Sequence, residues 1–281
     1  MRNVFTLLMS LVSGSRGEVG NHDLSSHFTD TQPRIAFGQR PGKSPCVVYL
    51  PGFRSSMKGR KGNCLHTYCR EMFLEYVCFD YRAFGESQGD WVTDAKISNW
   101  LADTLWILDH IVQSPHVILV GSSMGGWLAL LAAQRRLDRI HGLILLSPAV
   151  DMTRYYPDPQ QRHQLALQKD GQGRLYYQVP NEYDDHKPYE VYQDFLLDGE
   201  QFCVLHESKP ICLGDIPIRI LHGEEDTDVP LERSYALLDK LESNSEIDSF
   251  SLRAIKGGDH RLSDPEHLEI LRETLSQVAR N

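Results

Sequence analysis

Several short runs of this chain are apolar at consecutive positions: CVVYL at 46–50, YVCF at 76–79, VILV at 117–120 and LILL at 143–146. A strand with one wet face alternates apolar and polar residues, whereas a strand apolar throughout has both faces covered. Between these runs lie stretches with helical spacing. Ile97–Val112 places apolar residues at 97, 100, 101, 105, 108, 111 and 112, one stripe along a helix. Residues 63–73, 125–135, 231–241 and 265–279 also read as helices, and Ile35–Phe37, Tyr76–Tyr81, Ile216–Gly223 and Ser249–Ile255 as strands. Gly38 to Gly42 reads as the turn that ends the first of these. Strands buried on both faces and alternating with amphipathic helices predict an α/β fold, a mostly parallel sheet with helices on both sides.

The 281 residues suit one large α/β domain, spanning 34–281. The alternation breaks between Asp151 and Asp215, where YYPDPQQRHQ and QVPNEYDDHKPY are polar, Tyr-rich and Pro-bearing. A long irregular stretch inside a compact domain is usually a lid or a disordered insert, and this one holds too many aromatics for disorder. It reads as a cap inserted at 151–215. Residues 1–33 form an N-terminal segment. Arg2 precedes an apolar run from Val4 to Val12 and the small residues Ser13, Gly14 and Ser15, with no acid before Glu18. The run is too short to span a bilayer. It fits a mitochondrial presequence or a secretory signal, against the alternative of an ordinary segment packed on a cytoplasmic domain.

The net charge of −9 argues against nucleic-acid binding, which needs a basic stripe. The six cysteines form no CxxC pair, and no Cys/His cluster has zinc-ligand spacing. Cys46 and Cys78 sit inside strand-like runs as small buried hydrophobes. No metal and no organic cofactor is implied.

The VILV strand runs into Gly121-Ser122-Ser123-Met124-Gly125, which fits G-x-S-x-G with Ser123 at the centre. Such a serine sits on a tight strand-to-helix turn in a strained conformation, so its neighbours must lack bulk. A serine hydroxyl needs a base, and the base an orienting acid. After the strand ending in RILHG comes EEDTDVP, with Glu224, Glu225, Asp226 and Asp228 crowded on one loop. Asp226 closes the pattern H-G-x-x-D-x-x-V-P, while Glu225 and Asp228 read as loop or capping residues. The last strand leads into KGGDH, which puts His260 on a loop after two glycines. Among the other histidines, His222 reads as structural and His206 as a possible substrate contact in the cap. An oxyanion would need two backbone N–H donors: Met124 after the nucleophile, and Phe53 in PGFRSSM, with Gly52 letting that loop approach.

Taken together, PGFRSSM, DYRAFGES, GSSMGGW, LHGEEDTDVP and GGDH occur in the order seen in α/β-hydrolases, and the chain resembles that family over roughly residues 34–280. PGF-x-S-x-M, GSSMGGW and the Cys203–His206 segment are similar to those of its mitochondrial palmitoyl-protein thioesterases and their bacterial relatives. The resemblance implies Ser123, Asp226 and His260 as a triad and a serine hydrolase working through an acyl-enzyme. It further implies S-acylated proteins or acyl esters as substrates, with acyl-glucuronide esterase activity. Two departures stand out: Pro51-Gly52 replaces the His-Gly of many hydrolases, and Ala83 replaces the glycine of D-x-R-G-x-G-x-S. The alternatives are a general carboxylesterase, a serine peptidase, or an inactive hydrolase fold used as a binding module.

Overall fold

The computed structural model describes residues 24–157, 162, 165–180, 188–206, 210–242 and 249–280. The targeting features of the N-terminal segment, from Arg2 to Glu18, lie outside the described residues. In chain order the strands are β1 (His27–Phe28), β2 (Ala36–Arg40), β3 (Lys43–Leu50), β4 (Leu74–Phe79), β5 (Val117–Ser122), β6 (Ile140–Leu146), β7 (Gln168–Lys169), β8 (Leu175–Val179), β9 (Tyr189–Tyr192), β10 (Ile211–Cys212), β11 (Ile218–Gly223), β12 (Leu241–Glu242) and β13 (Phe250–Ile255). The helices are α1 (Arg60–Met72), α2 (Trp91–Asp94), α3 (Ile97–His110), α4 (Met124–Arg135), α5 (Met152–Tyr155), α6 (Gln193–Glu200), α7 (Leu231–Lys240) and α8 (Pro265–Val278).

Eight strands form one sheet in the order β1-β2-β4-β3-β5-β6-β11-β13. The pairs β1–β2 and β2–β4 are antiparallel, and every pair from β4 through β3, β5, β6 and β11 to β13 is parallel. The consecutive apolar runs serve two layers. Val48, Leu50, Phe79, Leu119, Leu143 and Leu145 pack on one face with Trp100 and Ile107 of α3 and Trp127 and Leu131 of α4. Val47, Tyr49, Cys78, Ile118, Val120, Ile144 and Leu146 pack on the other with Leu65 and Tyr68 of α1 and Leu271 and Leu275 of α8. Each fully buried side chain of this kind contributes roughly 1.5–3 kcal/mol. The six cysteines are free, and Cys46 and Cys78 are buried in these layers.

Gly38 does not turn the chain, as the sequence leads one to expect. It lies inside β2, which continues to Arg40 paired with Tyr76 of β4. A glycine stands there because the Leu24 side chain occupies the space its Cβ would fill, with Cδ2 2.2 Å away.

Because β3, β5, β6, β11 and β13 run parallel, the loops that follow them all emerge at one edge. The chain leaves β6 through Ser147 and Asp151, both in the left-handed region. The segment up to β11 contains α5, the antiparallel sheet β7-β8-β9 and α6. Asp151 is fully buried, and its carboxylate accepts from the backbone N–H groups of Val204 and Leu205 at 2.8 and 2.9 Å. Other anchors tie this segment to the main domain: Trp91 Nε1 donates to Glu190 O (3.0 Å), Trp127 Nε1 to Phe202 O (3.2 Å), and Ser98 N to Asp198 Oδ2 (2.9 Å).

The DYRAFGES loop supports the loop after β3. Buried Asp80 accepts from Met57 N at 2.7 Å and from Glu86 N at 3.0 Å. Arg82 donates to Asp103 through its backbone and its guanidinium. Ala83 adopts φ 63°, which explains why a glycine suits this position. Replacing Ala83 with Gly removes the left-handed penalty but adds unfolded-chain entropy. Ala83→Gly is expected to stabilise the fold by a few tenths to about 1 kcal/mol, read as a raised Tm; a lowered Tm would contradict this account.

Candidate active site

Ser123 lies between β5 and α4 at φ 54°, ψ −120°. Backbone strain of this kind costs of order 1–3 kcal/mol and persists only where neighbours enforce it. Here they do: Ser123 N donates to Leu146 O at 2.8 Å, and its carbonyl accepts from Gly126 N and Ala149 N. The three glycines are required by space. A Cβ on Gly121 would meet Gly125 O at 2.3 Å, one on Gly125 would meet Leu50 O at 2.1 Å, and one on Gly126 would meet Pro148 Cβ at 2.9 Å.

The loop after β3 closes over the serine from the side. A Cβ on Gly52 would lie 3.2 Å from Ser123 Cβ, so only a glycine fits comfortably there. Phe53 follows directly. Met124 opens α4, and its N–H is one of those at a helix start with no intrahelical acceptor. Of the two residues predicted as oxyanion donors, Met124 follows Ser123 in the chain and Phe53 follows the glycine that abuts it.

The acid and the histidine come from loops that touch each other. A Cβ on Gly223 would meet Gly258 O at 2.2 Å, and Glu225 N donates to Gly258 O at 2.9 Å. This contact sets His260 between its partners: Nδ1 lies 2.8 Å from Asp226 Oδ2, and Nε2 lies 3.0 Å from Ser123 Oγ. With the carboxylate on Nδ1, that nitrogen carries the proton and Nε2 accepts from the serine hydroxyl. Such a chain can remove a proton from Ser123 as its oxygen attacks a carbonyl and then deliver it to the leaving group. The neighbouring acids Glu224, Glu225 and Asp228 are exposed. Ser122 is buried and ends β5 opposite Leu146. His206 is exposed near the end of the inserted segment. Asp226, Asp228 and His260 have ligand atoms within 4.8 Å of one another, the spacing of a metal group, but both Asp226 oxygens and both His260 nitrogens already have partners.

Asp226 is better held than the sequence shows. Its side chain is fully buried, and Oδ1 accepts from Val229 N and Asp228 N. His222, also fully buried, brings Nε2 within 3.2 Å of Asp226 Oδ2 and 2.8 Å of Val229 O. Two acceptors on Nε2 place the proton there, so Nδ1 accepts from the Ser234 hydroxyl at 2.7 Å. Burial alone would raise the Asp226 pKa, but the hydrogen bonds with His222 and His260, the His260 charge and the Val229 N–H overcome it and hold the carboxyl well below its usual range. The sign follows: the ionised carboxylate contributes stability fully present above its unfolded value of about 3.9, lost as pH falls through the lower folded value. The only sequence signal for His222 was its place four residues before Asp226.

A family model described as serine aminopeptidase, S33, matches residues 47–189. The mouse mitochondrial palmitoyl-protein thioesterase ABHD10 is 32% identical over 248 residues, 88% of this chain and 79% of that protein. Its human counterpart is 32% identical over 88% of this chain and 76% of its own length. The solved mouse α/β hydrolase domain-containing protein 10 superposes with a TM-score of 0.76 at 30% identity, covering 90% of this chain and 98% of that one.

The chain is an α/β-hydrolase.

A solved putative hydrolase from Agrobacterium vitis is similarly related, with a TM-score of 0.79 at 30% identity over 92% of this chain and 99% of the other. The hydrolase also shows, among its described residues, no helix long and apolar enough to cross a membrane. In this α/β-hydrolase, His222 is expected to act on turnover by orienting Asp226. His222→Leu should lower kcat/KM about tenfold or more, the effect of one hydrogen bond to a charged group. His222→Gln, which keeps a donor facing Asp226, should retain most of the rate. Steady-state kinetics on both folded variants checks this; equal losses would assign His222 to packing alone.

Proposed function

We propose that this hydrolase cleaves acyl thioesters and esters through an acyl-enzyme on Ser123, and that its substrates are S-palmitoylated proteins. The observation that carries the reading is His260 bridging Ser123 Oγ and Asp226 Oδ2 at 3.0 and 2.8 Å. In this scheme Ser123 attacks the acyl carbonyl while His260 takes its proton. The N–H groups of Phe53 and Met124 face the oxyanion, and the α4 N-terminus adds a favourable dipole. The departing thiol takes the proton from His260, and a water then repeats the sequence to release the fatty acid. Asp226 holds the imidazole and stabilises its charged form.

The 151–215 segment serves as the acyl cap. Its Tyr156, Tyr189 and Phe195 rings gather within 6.4 Å of the Phe53 ring, next to the glycine that abuts Ser123. Aromatic walls with polar tips suit an acyl chain arriving from water. Tyr183, another ring of the cap in sequence, lies outside the described residues. The named relatives act as palmitoyl-protein thioesterases, which favours the thioester over other acyl bonds.

Ser123→Ala is expected to abolish hydrolysis of a palmitoylated peptide and labelling by a fluorophosphonate, losing on the order of 10⁶-fold in kcat. Ser122→Ala should keep much of both. Absence of labelling in the wild-type protein would instead support an inactive binding module. Cleavage of aminoacyl anilides in preference to thioesters would move the assignment to a peptidase.

We place the protein in mitochondria, on the basic, acid-free start of the chain and the mitochondrial relatives. Residues 1–33 fused to a fluorescent protein are expected to direct it there; a cytoplasmic or secreted fusion would contradict this.

A further inference from the structure

Arg54 follows Phe53 on the loop that borders Ser123, and the proposed reaction makes no use of it. Its backbone is left-handed, at φ 52°, an uncommon state for any residue but glycine. Its guanidinium carbon lies 3.9 Å from the centre of the Trp91 ring and 4.5 Å from that of Tyr189. Two aromatic rings therefore hold the flat group, one from α2 and one from the inserted segment. The edge of a guanidinium carries five N–H donors. Among the described residues none accepts a hydrogen bond from this one. Tyr189, Tyr156 and Glu190 are near enough to feel its charge, and Glu190 Oε2 instead accepts from the Tyr192 hydroxyl. Partial desolvation between the rings pulls the Arg54 pKa down. Arg54 is thus an exposed residue whose guanidinium is flanked by two rings and meets no protein acceptor among the described residues.

Position gives this arrangement its meaning. A Cβ on Gly52 would lie 3.2 Å from Ser123 Cβ, and consecutive Cα atoms are about 3.8 Å apart, so Arg54 begins two residues beyond the glycine that abuts the reacting serine. The chain as a whole carries −9, which repels an anion arriving from solution. A cation beside the site counters that field locally.

We propose that Arg54 is a binding site for an anionic group of the substrate, a carboxylate or a phosphate, carried on either side of the scissile carbonyl. The proposal rests on the reading of Ser123 as nucleophile and adds a charge requirement to it. A planar guanidinium between two rings presents its edge to two oxygens at once, which suits either group. The competing role is mechanical, with Arg54 only pinning the Tyr189 hairpin to the loop.

Two matched substrate pairs separate these roles and the two anion types. Mono-4-nitrophenyl glutarate against 4-nitrophenyl valerate tests a carboxylate on the acyl side. Butyryl-CoA against butyryl-N-acetylcysteamine tests phosphates on the leaving side. Arg54→Met is expected to lower the anionic-to-neutral ratio of kcat/KM about tenfold in one pair, chiefly through KM, and Arg54→Lys to restore part of it. The responding pair identifies the anion and its side. A ratio unchanged in both pairs overturns the proposal, whether or not overall activity falls. Calorimetry on the Ser123→Ala protein reads the site without turnover. Glutarate, or coenzyme A, should bind and lose affinity on adding Arg54→Met. No binding of either overturns the anion site even if hydrolysis proceeds, whereas binding without hydrolysis in the wild type faults the hydrolytic reading alone.

Discussion

Lack of space around one residue governs this structure. The start of α4 is pressed against the end of β3, so that a single added carbon on Gly125 would sit 2.1 Å from the carbonyl oxygen of Leu50. Only this close approach lets the chain reverse from β5 into α4 within one residue, and that residue must take the left-handed geometry seen at Ser123. The parallel sheet supplies the other half of the constraint. With β3, β5, β6, β11 and β13 aligned, every loop that could supply a partner opens at the same edge. Gly223 repeats the device against the Gly258 backbone, and Gly52 leaves little room beside Ser123.

The electrostatic organisation follows from that crowding. Asp226 is buried beside two imidazoles, and four hydrogen-bonding groups converge on its two oxygens. Burying a lone carboxylate is costly, and the polar neighbours offset that cost. The result is a carboxylate that remains charged in a dry setting, which a histidine needs if it is to gain and lose a proton during turnover. The His222–Ser234 contact extends the chain from the acid into α7, tying the site to a helix packed at the far end of the sheet.

Much of this was legible in the sequence where one residue type has one physical reason to be present. The run LILL and the G-x-S-x-G turn are of this kind, and β6 and the β5–α4 junction appear where they were expected. Other features were hidden because their reasons are tertiary. Gly38 looks like a turn residue until Leu24 is seen filling its side-chain space. β3 begins with Lys43, Ser44 and Pro45, which are not buried, so its apolar run marks only its inner part. The hairpin β8–β9 is short and mostly half-exposed, with Tyr176, Tyr177, Tyr189 and Tyr192 serving packing and solvent together, and its pattern did not stand out from a loop. His222 could not be distinguished from a core histidine because its link to Asp226 arises only when the following loop curls back over it.

Asp151 has a consequence beyond its own neighbourhood. By holding Val204 and Leu205 with both oxygens, it brings the two ends of the excursion from β6 within reach of one side chain. The sheet therefore experiences the intervening residues as a closed loop of fixed width, whatever their number. Loop-closure entropy rises slowly with length, by about 0.6 kcal/mol for each doubling. Changes in length between residues 152 and 203 therefore cost the main domain little in loop closure, provided the contacts of Glu190, Asp198 and Phe202 are kept. A lineage carrying this latch is free to remodel the walls around an acyl group while the turn at Ser123 stays as it is.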